Sequence, residues 1–356
     1  MIKLLGKTPD ELKKIAVSVG LPAFSGKQIS QWLYQKKVTS VGEMTNLSKE
    51  GRERLSAIYE VGKVEASDCM ISTDGTKKYL FPVECTHIPG LNKIDTAQGT
   101  EKSSVEAVMI PDNDRSTLCV SSQAGCKMGC HFCMTGFQGF HGHLSAADII
   151  NQFISIDETD KLTNAVFMGM GEPLDNYDNV LRAIEILTSP WGFGWSPKRI
   201  TLSTIGVLPR LKQYLEDTKC HIAISMHSPF DEEREAIMPV QKVYPIRDII
   251  NLLKNYDFSG QRRVSFEYTM FAGLNDDKRN ADAIIRLLRG MECRVNLIRF
   301  HKIPTFPYEA PIEPVMEMFR DRLSSAGITS TIRASRGEDI FAACGMLAGN
   351  HKNEKV

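Results

Sequence analysis

The sequence lacks any surplus of charge: 43 lysines and arginines balance 43 aspartates and glutamates over 356 residues. No net field draws the chain toward nucleic acid or a membrane, so an RNA partner would have to be engaged by local patches. Long apolar runs are missing too. None approaches the ~18 residues of a membrane span, and charge interrupts the short apolar stretch of Met1-Ile2-Lys3-Leu4-Leu5-Gly6-Lys7, so a soluble cytoplasmic protein with no secretory signal is expected. An even, closely spaced cysteine framework is also absent. Nine cysteines spread over a long chain argue against disulfide stapling and for metal or redox chemistry where they cluster. Cys69, Cys85, Cys220 and Cys293 stand singly and read as small buried hydrophobes.

What is present is enough apolar residue, 42%, to bury one large α/β core and a small accessory module. Thr8-Pro9-Asp10-Glu11 reads as a capping box with proline at the first helical position, and Ser25-Gly26-Lys27-Gln28 repeats the start signal before Ile29, Trp32 and Leu33. Residues 1–60 are therefore expected as a small helical module. Short alternating segments such as Lys77-Lys78-Tyr79-Leu80-Phe81, with turns at Asp74-Gly75 and Pro89-Gly90, predict a β-rich connector over 61–110. From 111 a regular rhythm begins. Strand-like runs at 117–122, 164–169, 199–203, 220–225, 263–270 and 293–299 alternate with helical stretches near 145–156, 178–188, 208–216, 245–256, 278–289 and 314–326. Six such units imply a parallel sheet with crossover helices, and 328–333 could add a strand. Six are too few to close an eight-fold barrel. The fold class is thus α/β, an open partial barrel of six βα units over 111–348 with its site at the C-terminal strand ends, followed by a frayed tail over 349–356.

Directly after the first barrel strand comes Cys126-Lys127-Met128-Gly129-Cys130-His131-Phe132-Cys133. Three thiolates can ligate three irons of a 4Fe–4S cluster and leave the fourth open to chelate a cofactor. Gly125, Gly129 and Gly136 suit close backbone packing around it, and Phe132 would shield it from water. Zinc with His131 as fourth ligand stays open on spacing alone. Gly169-Met170-Gly171-Glu172-Pro173 follows the second strand, where glycines let backbone approach a ligand. Ser203 ends the third strand, Ser225-Met226-His227 the fourth, and Asn296 lies on the sixth. Together they place polar groups on one rim.

The cysteine triplet on this barrel resembles the radical S-adenosylmethionine superfamily, and Gly171-Glu172-Pro173 resembles its motif for the cofactor's amino-acid moiety. The likeness narrows with Leu118-Cys119-Val120-Ser121-Ser122-Gln123-Ala124-Gly125-Cys126 and Asp339-Ile340-Phe341-Ala342-Ala343-Cys344-Gly345. With Glu43-Met44-Thr45-Asn46-Leu47-Ser48, these stretches are similar to the RlmN/Cfr family of RNA adenosine methyltransferases over nearly the whole chain. The resemblance implies that Cys344 accepts a methyl group from one S-adenosylmethionine, and that a second is cleaved at the cluster to a radical that activates it, two cofactor molecules per turnover. It implies that Cys119 resolves the protein–RNA adduct through a disulfide with Cys344, and that Glu106 accepts a proton. The implied cofactor contacts are Gly171, Glu172, Ser203, Ser225, Met226, His227 and Asn296, and the implied cluster ligands Cys126, Cys130 and Cys133.

Family members act on an adenosine in the peptidyl transferase region of 23S ribosomal RNA, and some on the adenosine just 3′ of the tRNA anticodon. The implied partners are 23S ribosomal RNA, tRNA and a reducing electron donor such as flavodoxin, with no membrane and a monomeric chain. Ala124 stands where the Cfr type has cysteine, and Gln138-Gly139-Phe140 resembles RlmN, so carbon 2 of adenine is expected. The alternatives are carbon-8 methylation with antibiotic resistance, a radical enzyme such as a glycyl-radical activase, and a zinc-stabilised RNA-binding protein without catalysis. Candidate phosphate contacts are Lys27, Lys36, Lys37, Lys77, Lys78, Lys198, Arg199, Arg262 and Arg263. The target base must leave its stack to reach a buried centre.

Overall fold

The computed structural model describes residues 1–84, 102–260, 262–304 and 306–348. Cys85, the Pro89-Gly90 turn and the tail from Gly349 lie outside the described residues. A small N-terminal module comprises β1 (Ile2–Lys3), α1 (Pro9–Ser18), α2 (Ser25–Tyr34), α3 (Lys49–Ile58) and β2 (Tyr59–Glu60). The capping box predicted at Thr8 is formed: its side chain accepts the Glu11 N–H while Glu11 reaches back to the Thr8 N–H at 2.7 Å. The second start signal works differently. Ser25 is the first helical residue rather than the cap, because its N–H already turns back to the Pro22 carbonyl. Gly26 lies so close to α1 that a Cβ would stand 2.4 Å from the Lys13 nitrogen.

Next come β3 (Asp68–Ile71), β4 (Lys77–Glu84), β5 (Lys102–Asp112), β6 (Arg115–Cys119), β7 (Gln123–Gly125), α4 (Met134–Phe137) and β8 (Phe140–His143). The alternating helices and strands follow: α5 (Ala146–Ile154), β9 (Asn164–Phe167), α6 (Tyr177–Thr188), β10 (Ile200–Thr204), α7 (Leu208–Asp217) and β11 (His221–Ser225). The series continues with α8 (Asp231–Ile237), α9 (Ile246–Leu253), β12 (Val264–Met270), α10 (Lys278–Leu287), β13 (Arg294–Arg299), α11 (Glu313–Ser325) and β14 (Thr329–Ile332). The periodicity explains the helices. In α9, Ile246, Ile249, Ile250 and Leu253 recur at the i, i+3, i+4, i+7 spacing of one face, and all four are buried.

One ten-stranded sheet runs in the order β14-β13-β12-β11-β10-β9-β6-β5-β4-β3. Within this sheet every pairing from β6 to β14 is parallel, which gives the six predicted units and the additional strand at Thr329–Ile332, while β7 and β8 pair antiparallel in a separate ribbon. The sheet ends at β14 and β3, so the barrel is open. The strands of the connector, β3 to β5, continue this sheet by antiparallel pairing against β6. They form a shoulder beside the strand that precedes the cysteine triplet.

Candidate active site

Every motif lies where the parallel strands end. The triplet loop leaves β7 at Gly125, whose φ of +71° is left-handed; a Cβ there would stand 1.9 Å from the Gly139 carbonyl oxygen, which also accepts the Cys126 N–H. Cys126, Cys130 and Cys133 all line a cavity of about 170 Å³. Burial pushes the Cys126 thiol up to about 12 and holds Cys130 well above the ordinary thiol range, with the neighbouring thiols adding to both shifts. Deprotonating all three together needs a bound cation to offset the repulsion. His131 turns away: its N–H donates to the Ile237 carbonyl and its Nδ1 lies 3.0 Å from the Ala236 carbonyl oxygen. Among the described residues no three His, Cys, Asp or Glu side chains converge on one ion position. Three separated thiols without a histidine partner fit a multi-iron cluster, in which each iron takes one thiolate. Phe132 packs against His227, Phe271 and Phe306 and closes the cavity from that side.

The same cavity is lined by Gly169, Gly171, Glu172, Ser203, Ser225 and His227. Gly171 has φ +96°, and a Cβ there would stand 2.4 Å from the Gln123 Cβ. Glu172 is buried and accepts from the Thr204 hydroxyl at 2.6 Å and from the Leu174 and Ile205 amides at 3.0 Å. It ties the loop after β9 to the end of β10. Burial raises its carboxyl to about 7 against the pull of those three donors. His227, at φ +54°, is buried and held well below the usual imidazole range, at about 3, by burial and then by Arg234. Its Nδ1 accepts the Thr269 N–H at 2.9 Å, so the neutral ring carries its proton on Nε2.

Met226 and Asn296 are placed differently. The Met226 side chain is buried in the hydrophobic core, and Asn296 donates to Glu267 at 2.7 Å while accepting from Thr331. Glu267 does line the cavity. Its Oε2 is buried and without a hydrogen-bond partner among the described residues, an acceptor suited to a donor on a bound cofactor. Neither this residue nor Arg234 is marked in the sequence by any motif. That guanidinium is fully buried and donates to the backbone carbonyls of Ile205, Ser225, Met226 and Tyr244 and to Gln241. It locks the ends of β10 and β11 under the site. A single arginine in the acidic run Asp231-Glu232-Glu233-Arg234-Glu235 gives no sequence signal of such a role.

Beyond a shared wall of Cys133, Met168, Glu267 and Cys344 lies a second cavity of about 480 Å³, lined also by Cys119. Cys119 ends β6 and is buried; burial, then the charge of Cys344, raise its thiol far above the ordinary range. Cys344 presents its thiol to the cavity, although the surrounding walls still strip enough water to raise its pKa, a rise that Arg333 opposes. Its loop is docked on the triplet loop: Met134 N–H donates to the Gly345 carbonyl and Thr135 Oγ1 to the Leu347 carbonyl at 2.7 Å. Glu106 lines neither cavity. It is fully buried, 2.9 Å from the Lys78 ammonium, and accepts the Ala348 N–H at 2.6 Å. Because Val108 pairs with Cys119 in the antiparallel register, Glu106 lies on the same face of the sheet as that cysteine.

Several suggested phosphate contacts are otherwise engaged. Lys78 is buried, Lys77 pairs with Asp157 and Glu158, Lys37 pairs with Asp160, and Arg262 is buried beside Tyr214 and Cys220. Lys27, Lys36, Lys198, Arg199 and Arg263 are exposed.

Comparison with known proteins agrees with this architecture. Residues 120–283 match the radical SAM superfamily, and residues 2–61 match the ribosomal RNA large subunit methyltransferase N-terminal domain. A probable dual-specificity RNA methyltransferase RlmN of Porphyromonas gingivalis is 55% identical, with 97% of this chain and 96% of that protein covered. A dual-specificity RNA methyltransferase RlmN of Syntrophus aciditrophicus is 38% identical over 98% of this chain and 96% of its own. The crystal structure of a radical SAM methyltransferase from Sphaerobacter thermophilus superposes with a TM-score of 0.88 at 33% identity, covering 98% of this chain and all of that one. Near-full-length likeness of this order, together with the thiol triplet at the strand ends, makes the chain a member of the RlmN family of radical S-adenosylmethionine RNA methyltransferases.

Proposed function

We propose that the enzyme methylates carbon 2 of an adenosine in the peptidyl transferase region of 23S ribosomal RNA and of the adenosine just 3′ of the tRNA anticodon, through a methyl group carried on Cys344. The observation that carries this reading is the pair of thiols, Cys119 and Cys344, in one cavity that shares a wall with the cysteine triplet. Carbon 2 is an electrophilic amidine carbon with a strong C–H bond, so direct transfer of an electrophilic methyl group fails there and a carbon radical is required.

Cys126, Cys130 and Cys133 would hold the cluster, with Gly171, Glu172, Ser203, Ser225 and His227 proposed around the cofactor; Met226, buried in the core, and Asn296, bonded to Glu267 and Thr331, line neither cavity. When bound, the reduced cluster supplies the electron that cleaves S-adenosylmethionine to a 5′-deoxyadenosyl radical. Cys344 first takes a methyl group on sulfur, then gives up one hydrogen atom, and the resulting carbon bonds to the base. Glu106, on the sheet face that carries Cys119, is assigned the proton that leaves carbon 2, and the unpaired electron left on the base would return to the oxidised cluster. Cys119, giving up its proton, then attacks the Cys344 sulfur; the S–C bond breaks as the disulfide forms, and the freed carbon takes up a proton to become the methyl group. Low-dielectric walls favour this order, because the buried Cys119 thiol stays protonated until a base accepts its proton. The resolving step therefore waits for the adduct.

An electron donor such as flavodoxin and a monomeric, cytoplasmic enzyme complete the proposal. No helix among the described residues is long and apolar enough to cross a membrane. The test is nucleoside mass spectrometry of 23S ribosomal RNA and tRNA after anaerobic incubation with reductant and S-adenosylmethionine. The expected product is 2-methyladenosine in both. 8-Methyladenosine, or no methylated adenosine, would overturn the reading.

A further inference from the structure

The larger cavity has an electrostatic character that the whole chain lacks. Its walls carry four arginines, Arg115, Arg299, Arg333 and Arg336, against two carboxylates, Asp112 and Glu267. The four are not equivalent. Arg115 faces Asp112 at 4.0 Å, and Arg299 is bonded to Glu313. Arg333 and Arg336 make no side-chain hydrogen bond or ion pair with any described residue, unlike Arg115 and Arg299 of the same walls.

The segment bearing them is nonetheless fixed. Arg333 N–H donates to the Leu297 carbonyl at 2.8 Å and extends the pairing of β14 by one residue. Between the two arginines, the Ser335 hydroxyl lies 3.0 Å from His301 Nε2, and His301 Nδ1 lies 3.3 Å from Glu338. His301 is itself buried. After them, Gly337 N–H donates to Asp74 Oδ2 at 3.0 Å. The backbone is pinned before, between and after the two arginines while both guanidiniums stay free. A guanidinium fork held this way is suited to a phosphate, which it can grip through two parallel N–H···O bonds. Preorganised backbone lowers the cost of ordering on binding.

We propose that Arg333 and Arg336 form a phosphate-binding site at the mouth of this cavity, gripping the RNA backbone beside the target nucleotide so that the unstacked base enters over Cys344. The inference rests on the RNA-methylation reading and adds the residues that seat the substrate. At about 480 Å³ the cavity lies within the ~300–1,000 Å³ range of sites for molecules of nucleotide size. Arg333 and Cys344 line the same cavity, which places the phosphate grip beside the sulfur proposed to carry the methyl group. The cofactor's own carboxylate is not the intended occupant, because Cys126, Cys130, Gly171 and Glu172 line the other cavity and not this one.

The test uses the cluster-loaded enzyme, a tRNA transcript and a 23S ribosomal RNA fragment, with affinity measured across a range of monovalent salt. Arg333→Ala and Arg336→Ala are each expected to weaken RNA binding about tenfold. Each should also flatten the slope of log affinity against log salt by about 0.7–0.9, the effect of one lost phosphate contact. Arg333→Lys should keep the slope, and S-adenosylmethionine affinity should be unchanged in all variants. Wild-type slope and affinity in both alanine variants would overturn the inference, as would an equal loss of S-adenosylmethionine binding. A wild-type enzyme that binds RNA with this arginine-dependent slope yet makes no methyladenosine would instead overturn the methylation reading and leave the phosphate site standing.

Discussion

At Gly171 a single methyl group would stand 2.4 Å from the Gln123 Cβ on a backbone of φ +96°, so the residue is fixed twice, by space and by conformation. Gly171→Ala should cost about 1–3 kcal/mol from the backbone conformation alone and should displace the loop that lines the cofactor cavity. The expected outcome is a lower urea midpoint together with weaker S-adenosylmethionine binding. An unchanged affinity would mean that this loop does not touch the cofactor. His227 gives a prediction in pH. Its folded pKa, about 3, lies below the usual imidazole value of 6.5, so the unfolded chain binds more protons between these limits. Its contribution to stability is full above pH 6.5 and is lost as pH falls toward 3. The stability difference between wild type and His227→Gln should therefore shrink on acidification through that window, as read by urea unfolding at stepped pH. A difference independent of pH would contradict the buried neutral ring.

At the scale of elements, the shoulder strands β4 and β5 hold the loop that carries Cys344. Lys78 on β4 and Glu106 on β5 form a buried ion pair; Lys78 also reaches the Phe341 carbonyl at 3.4 Å, and Glu106 accepts the Ala348 N–H. The two contacts bracket Cys344. The turn between β3 and β4 adds two more, since Asp339 accepts from the Ser72 hydroxyl at 2.5 Å and from the Thr73 N–H at 3.1 Å. Removing one partner of a buried pair strands the other charge, so Lys78→Met or Glu106→Leu should each lower stability by about 3–5 kcal/mol. The double variant should cost less than the sum of the two. Additive losses in a double-mutant cycle would mean that the pair does not act as a unit.

These elements also show what the sequence discloses. Period and punctuation were sufficient for the parallel strands and their helices, because each buries one regular face and turn residues bound it. The destination of β3 to β5 was not legible, since an alternating strand carries no mark of the sheet edge that will accept it. Cys126, Cys130 and Cys133 were legible because their spacing has few other uses. The lysines and arginines were not, because Lys78 reads like any exposed strand lysine and Arg234 like any helical one until long-range packing supplies Glu106 and the backbone carbonyls of two strand ends. Arg333 and Arg336 likewise gain meaning only when the backbone brings them over a cavity whose walls include Ile110, Asp112, Arg115, Thr117 and Cys119, more than two hundred positions away.

For the whole molecule, the open barrel brings the cysteine-triplet loop from its first unit and the Cys344 loop from its end to one rim, with Cys119 lining the same cavity as Cys133 and Cys344. This arrangement separates two tasks. The smaller cavity is lined by the triplet and the glycine-rich loop, and the larger by the thiol pair and the arginines. The two share a wall that includes Cys133, Glu267 and Cys344. If Cys344 carries the methyl group, Cys119 is needed only after carbon has bonded to RNA, so Cys119→Ala should stop the reaction at a covalent protein–RNA species. The decisive measurement is to incubate cluster-loaded Cys119→Ala enzyme with RNA, reductant and S-adenosylmethionine, separate the products under denaturing conditions, and map any cross-link by peptide mass spectrometry. The account predicts RNA bound through one carbon to Cys344, with no such species in the Cys119→Ala/Cys344→Ala double variant. Release of free 2-methyladenosine RNA by the Cys119→Ala enzyme at the wild-type rate would contradict it.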